Sequence, residues 1–387
     1  MATKVGMEVS LAAAEAVKQA NVDVVAAYPI TPQTHIVEHL AELVNNGELD
    51  AEFIPVESEH SAMSVCTGSS AAGARSFTCT SSQGLALMNE IVFITASLRL
   101  PIVMLLANRT LSGPLSIWND HSDVMSIRDC GWIQVFVENG QEVYDHVFIG
   151  YRVAEDRNCL LPFMVNLDGF ILTHVIEPLE FLDQEIIDRY LPPYRPLYSL
   201  HPNHPVTMGA FSTPALYTET KKAQDEAIRE AMPYILKGWQ EFGDLTGRYY
   251  HPIEHYKTEG AKVILVTQGS LGETASIAID SLREKGETVG LVKIRLWRPF
   301  PVHEFREAVK GAELVVVMDR AISYGASAGP LAMEIRSALY AEEERPRVVN
   351  WIAGLAGRDL SPEDFLQMIH QAKERSDEGY EIYGVRG

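Results

Sequence analysis

Short apolar runs of strand length alternate with helix-length stretches along most of this 387-residue chain, and no other feature constrains its fold as tightly. The strand-like runs fall at 22–27, 52–56, 76–80, 101–107, 132–137 and 162–167, with helical patterns at 32–46, 58–73, 84–97 and 141–155 between them. Runs this rich in Val, Ile and Leu are buried on both faces, so the series predicts a mainly parallel sheet covered by helices. Asp168 and Gly169 close the pattern. Between residues 176 and 258, Pro178, Pro192, Pro193, Pro196, Pro202, Pro205 and Pro214 break the chain repeatedly, and one long polar helical pattern follows at 218–241. That segment reads as a connector with a docking helix. A second series then places strands at 263–267, 289–296, 314–318 and 348–352, with helices at 273–285, 303–309, 328–339 and from 362. The expected fold class is therefore α/β: two doubly wound, mainly parallel-sheet domains at 1–175 and 259–387, joined by the Pro-rich connector 176–258.

The charge balance narrows the partners. Acidic side chains outnumber basic ones 52 to 32, a formal net charge of −20, and such a field repels nucleic acid and anionic lipid. No apolar stretch approaches the roughly 20 residues of a membrane span. Glu8 and Glu15 interrupt any apolar secretion segment near the N-terminus, so the expectation is a cytoplasmic protein with neither a nucleic-acid nor a membrane partner. Cys66, Cys79, Cys130 and Cys159 are scattered without a CxxC spacing. They read as buried thiols, and the chain carries no recognisable iron–sulfur ligand set.

Four strand-to-helix junctions carry polar residues. In Tyr28-Pro29-Ile30-Thr31-Pro32-Gln33-Thr34 two prolines fix the turn, and Thr31 or Thr34 can cap the helix. In Glu57-Ser58-Glu59-His60 two acids open a helix. They either complement its dipole or, because Ala62, Gly68, Ala71, Ala72 and Gly73 let that helix approach a neighbour closely, one of them is buried. Ser81-Ser82-Gln83-Gly84 offers hydroxyls and a glycine that would let backbone amides approach a ligand. The fourth junction runs from Asn108 to Asp123, and its Arg109, just past a buried strand, needs a carboxylate or phosphate partner. Asp120, His121 and Asp123 lack a diagnostic metal-ligand spacing and read as a polar loop, so no metal site is assigned. Any one junction alone is as readily a well-capped helix start; four at one sheet edge favour a ligand site. The glycine turns 269–272 and 325–329 match neither a dinucleotide fingerprint nor a phosphate loop and are read as close-packing devices.

The ordered set Tyr-Pro-Ile-Thr-Pro, Glu-Ser-Glu-His, Thr-Ser-Ser-Gln-Gly, the Asn108-to-Asp123 run and Arg-Leu-Trp-Arg-Pro-Phe-Pro at 295–301 resembles the alpha chain of 2-oxoacid:ferredoxin oxidoreductases. The resemblance extends from about residue 5 to about residue 370, and the Asn-Asp-His-Ser-Asp loop is most like that of the pyruvate enzymes. It implies that residues 1–175 form the domain holding the aminopyrimidine of thiamine diphosphate, and that 259–387 are similar to the transketolase C-terminal domain. It also implies a cofactor shared with a beta subunit, which would hold the diphosphate and Mg2+. Leu167-Asp168-Gly169 lacks the first glycine and the asparagine of that beta-chain motif and is not read as one. The [4Fe-4S] clusters would lie on partner chains, with gamma and delta subunits or their fused equivalents completing an assembly that uses CoA as co-substrate and passes electrons to ferredoxin.

Within that resemblance Glu59 matches the glutamate that hydrogen-bonds the pyrimidine ring nitrogen, with Glu57 the nearby alternative. Pro29 and Ile30 belong to the cofactor-binding loop, Thr31 matches a residue contacting substrate oxygens, and Arg109 matches the arginine holding the substrate carboxylate. Catalysis is thus assigned to Glu59, Thr31 and Arg109. The implied reaction is the reversible conversion of pyruvate, CoA and oxidised ferredoxin to acetyl-CoA, CO2 and reduced ferredoxin. Competing readings are the same chemistry on 2-oxoglutarate, a branched-chain oxoacid or oxalate, a non-catalytic assembly subunit, and a nicotinamide dehydrogenase, which the missing glycine fingerprint disfavours.

Overall fold

The protein is described by a computed structural model covering residues 3–375 and 378–386. The chain opens with β1 (Thr3–Glu8) and α1 (Val9–Gln19), then runs β2 (Val24–Ala27), α2 (Thr34–Asn45), β3 (Glu52–Pro55), α3 (Glu59–Ala72), β4 (Ser76–Thr80), α4 (Ser82–Leu87), α5 (Asn89–Ser97), β5 (Val103–Asn108), α6 (Ser122–Ser126), β6 (Ile133–Phe136), α7 (Gly140–Ala154) and β7 (Phe163–Asp168). β8 (Ile176–Phe181), α8 (Gln184–Tyr190), α9 (Pro214–Arg229), α10 (Met232–Thr246) and β9 (Ile253–Tyr256) follow. The last stretch holds β10 (Val263–Thr267), α11 (Leu271–Glu284), β11 (Val289–Ile294), β12 (Leu296–Arg298), α12 (Val302–Ala308), β13 (Leu314–Asp319), α13 (Pro330–Leu339), β14 (Arg347–Ile352), α14 (Pro362–Glu374) and β15 (Glu381–Ile382).

A seven-stranded sheet has the order β12-β6-β7-β5-β4-β2-β3, and a six-stranded sheet the order β15-β14-β13-β10-β11-β9. Both are parallel apart from one edge strand each, β12 against β6 and β9 against β11. The α/β class read from the apolar runs is therefore the observed one. β4, β5 and β7 are buried residue by residue, as strands covered on both faces must be. One apolar cluster runs from Ala62, Met104 and Trp132 at the first sheet to Val292, Trp297 and Phe305 in the later part of the chain, so the two sheets share a core.

Several elements differ from expectation. β1 and α1 precede the anticipated start of the pattern, and β1 pairs with β8 in a two-stranded ribbon. The helix expected at 84–97 is two helices meeting at Met88. The docking helix expected at 218–241 is also two, because Pro233 suits only a first helical turn and opens α10 there. Docking belongs to α10, whose Ile235, Trp239 and Phe242 are buried, whereas α9 buries no residue. Within 176–258, β8 pairs with β1 and β9 forms an edge of the six-stranded sheet. The stretch at 295–301 supplies β12, an antiparallel edge strand beside β6. Among the described residues, no helix is long and apolar enough to cross a membrane.

Candidate active site at the strand ends

Because β2 to β5 and β7 are parallel, their carboxyl ends open on one edge of the seven-stranded sheet. At β3, Ser58 caps α3 by accepting the Ser61 N–H (3.3 Å), which places Glu59 in the first helical turn. Glu59 is only 6% exposed. Glu57, expected to share the helix start, instead precedes the cap, lies exposed and accepts the Ser61 hydroxyl; that bond lowers its carboxyl pKa from the ordinary value. Of the two acids only Glu59 is turned inward. A Cβ on Gly84 would lie 2.6 Å from Glu59 Oε1 and 2.4 Å from Thr80 Oγ1. The missing Cβ at Gly84 leaves room for the Glu59 carboxylate.

The loop from β2 is held from within. Gln33 is buried; its Nε2 donates to the Tyr28 carbonyl (2.9 Å) and its Oε1 accepts from the Cys79 thiol (3.3 Å). Gln33 occupies the cap position of α2 without a side-chain cap bond, so neither Thr31 nor Thr34 plays the capping part anticipated for it. Pro29 is exposed, Ile30 and Thr31 are half-buried, and the Thr31 carbonyl accepts from Arg109 Nη1 (3.0 Å). Arg109 Nε donates to the Ser116 carbonyl (2.9 Å). At 7% exposure its charge forms no ion pair among the described residues, and burial lowers its pKa from the ordinary arginine value.

The loop between β5 and α6 is tied at both ends. Asp123 accepts from the backbone N–H groups of Arg109 (2.9 Å), Ser82 (3.2 Å) and Val124 (2.8 Å) and from Asn108 Nδ2 (3.0 Å). Burial pushes its carboxyl up to about 7 against those donors. Its bond to the Ser82 N–H also helps hold that residue at a φ of +47°, a left-handed conformation unusual for serine. Asp120 accepts from the Ser122 N–H (2.9 Å) and hydroxyl (2.6 Å), and His121 Nε2 bonds Asp168 Oδ1 (2.9 Å). These side chains are committed to one another, and among the described residues no three His, Cys, Asp or Glu cluster as metal ligands.

The junction missed by sequence reasoning is Asp168. Its Oδ1 accepts also from Asn119 Nδ2 (3.1 Å), and its Oδ2 from Ser270 N (2.9 Å), Ser270 Oγ (2.5 Å) and Arg320 Nη1 (2.7 Å). Burial alone would raise its pKa, but Arg320 and His121 outweigh that and hold the carboxyl well below the usual range. Ser270 belongs to the glycine turn read as mere packing: at Gly269, φ is +73° and a Cβ would come within 2.8 Å of Asp168 Oδ2. A polar residue at the end of a buried strand, Asp168, or directly after one, Arg320, was the available signal.

Two family descriptions match the chain: pyruvate flavodoxin/ferredoxin oxidoreductase, thiamine diphosphate-binding, over residues 15–237, and pyruvate:ferredoxin oxidoreductase core domain II over residues 261–365. Pyruvate synthase subunit PorA of Methanothermobacter thermautotrophicus is 49% identical over 367 residues, covering 94% of each chain. Ketoisovalerate oxidoreductase subunit VorA of Pyrococcus abyssi is 45% identical over 95% of this chain and 93% of that one. Among solved structures, a 2-oxoglutarate:ferredoxin oxidoreductase from Magnetococcus marinus superimposes with a TM-score of 0.68 at 20% identity, over 96% of this chain and 65% of that chain, a likeness of fold.

Proposed function

The chain belongs to the pyruvate flavodoxin/ferredoxin oxidoreductase family and is a subunit of a thiamine-diphosphate-dependent 2-oxoacid:ferredoxin oxidoreductase, from which premise we propose that its substrate is pyruvate, converted with CoA to acetyl-CoA and CO2 as ferredoxin is reduced. The observation that carries the assignment of the site is a buried carboxyl, Glu59, and a buried guanidinium, Arg109, each without an ionic partner among the described residues, on one edge of one sheet. A buried charge without a partner is costly, and each of these has a natural complement in the reactants.

The residues present fit the cofactor's pyrimidine. Glu59 has no hydrogen-bond partner among the described residues, and the Thr80 hydroxyl beside it is a buried, unpartnered polar atom. When bound, thiamine diphosphate supplies an electron sink at the carbon that loses CO2. Glu59 holds a proton at the pyrimidine ring nitrogen, and Gly84 leaves room for its carboxylate. Pro29 and Ile30 border the ring. Arg109 grips the substrate carboxylate with the guanidinium edge not used on Thr31 and Ser116, and Thr31 steers the substrate oxygens.

The other half of the site comes from a beta subunit that holds the diphosphate with Mg2+ and carries [4Fe-4S] clusters; gamma and delta chains or fused equivalents complete the complex, in the cytoplasm. Exposed apolar side chains beside the strand ends, including Tyr28, Leu87, Leu115 and Trp118, support closure of the site by another chain. In this reading residues 1–175 form the pyrimidine domain, 259–387 a transketolase C-terminal-like domain, and 176–258 the link between them. The test is to purify the assembled complex and compare pyruvate, 3-methyl-2-oxobutanoate and 2-oxoglutarate with CoA and a low-potential electron acceptor. Pyruvate is expected to give the highest kcat/KM by at least tenfold, and a higher value with the branched acid would move the assignment to that substrate.

A further inference from the structure

The loop 109–121 carries Arg109 and forms no regular element between β5 and α6; Leu115 is 75% and Trp118 52% exposed, and the middle is tied by the Thr110 N–H donating to the Trp118 carbonyl (3.1 Å) and by the Trp118 ring against Phe170. Its two ends are fastened by buried side chains. The near end is fastened by the Asp123 bond to the Arg109 N–H. The far end is fastened by a residue of the other sheet. Arg320, directly after β13, donates through Nη2 to Asn119 Oδ1 and through Nη1 to Asp168 Oδ2 (2.7 Å), while its carbonyl accepts the His121 N–H (2.9 Å). Asp168 completes the ring by accepting from Asn119 and His121. Arg320 is 3% exposed, and among the described residues no hydrogen bond joins it to Arg109.

We propose that Arg320 is a positioning residue for the 2-oxoacid: by clamping Asn119 and Asp168 together from the second sheet, it fixes the loop that aims Arg109. The inference rests on the reading of Arg109 as the holder of the substrate carboxylate. The link is mechanical. The Arg109 guanidinium is oriented by two carbonyls, one of them Ser116 in the mid-loop, so releasing the far anchor frees one of its two guides. A guanidinium that has lost one of its two guides holds the substrate carboxylate less firmly, an effect read in KM. Glu59 lies on a different junction and is held without this ring, so the pyrimidine half of the site should be untouched.

The experiment uses the assembled complex carrying Arg320→Lys, Asn119→Ala or, as reference, Arg109→Lys. Lysine at 320 retains the charge for Asp168 but cannot span both acceptors, and Asn119→Ala removes the anchor without touching the ion pair, so failure of one variant to assemble leaves the other. Expected are KM values for pyruvate raised about tenfold in both loop variants. Thiamine diphosphate affinity, followed by protein fluorescence, should stay within about twofold, as should kcat. A thermal midpoint lowered without a change in KM, or a loss of cofactor affinity parallel to the loss in KM, overturns the proposal. If Arg109→Lys also leaves KM unchanged, the reading of Arg109 itself falls, and this inference with it.

Discussion

Gly84 and Glu59 are packed so closely that one added methyl group at residue 84 would sit 2.6 Å from the carboxylate oxygen and 2.7 Å from Cγ of the same side chain. Neither side of that contact has room to yield cheaply, since Thr80 Oγ1 closes it at 2.4 Å. Gly84→Ala is expected to displace the Glu59 side chain. The cost should be about 1–3 kcal/mol of stability, typical of overpacking, together with a thiamine diphosphate affinity reduced at least tenfold. Thermal unfolding and cofactor titration of the complex read the two effects separately.

Glu59→Gln keeps the size of the side chain and removes its ability to exchange a proton with the ring nitrogen. Turnover with pyruvate should fall by about 100-fold or more, in the range lost when a positioned acid–base group is removed. Assembly and thermal midpoint should change little, because the Glu59 side chain makes no hydrogen bond among the described residues that the change would break. Steady-state kcat measured at saturating cofactor is the deciding quantity.

Thr31→Val replaces the hydroxyl by a methyl but leaves the Thr31 carbonyl on which Arg109 rests. Loss of a hydrogen bond to a charged reactant costs about 1.5–3 kcal/mol, so kcat/KM should drop roughly tenfold to a hundredfold. An unchanged kcat/KM would remove Thr31 from the substrate contacts while leaving Arg109 in place.

Asp168→Asn removes the buried charge facing Arg320 and His121 and should destabilise by about 3 kcal/mol, as expected when a buried ion pair loses one member. Because the folded carboxyl titrates well below its unfolded value, near 3.9, its contribution is complete above that unfolded value. It is lost only as the pH falls further, toward the folded value. The deficit of the variant, followed by thermal unfolding of the complex, should therefore be the same at pH 8 and pH 5. It should shrink only below about pH 4.

What the sequence disclosed and what it concealed follow from the range of the interactions. The strands β2 to β7 and β10 to β14 were legible because each is an apolar run bounded by polar turns, a signal contained in a few residues. The polar strand ends were legible one at a time. The break between α9 and α10 was signalled by Pro233, whose neighbours keep a helical pattern across it. The ring of Asp168 and Arg320 was not legible, since its members lie 152 residues apart and meet only after two sheets have packed. Nor was the reason for Gly84, which depends on a carboxylate delivered by another helix.

β12 has a consequence for how the molecule is made. Leu296 and Arg298, late in the chain, form the strand that covers β6. Until they emerge from the ribosome, the nascent N-terminal half presents an open row of unpaired backbone groups on a hydrophobic strand, an adhesive surface during synthesis. Together with the core the two sheets share, that ribbon ties completion of the first sheet to synthesis of the later part of the chain.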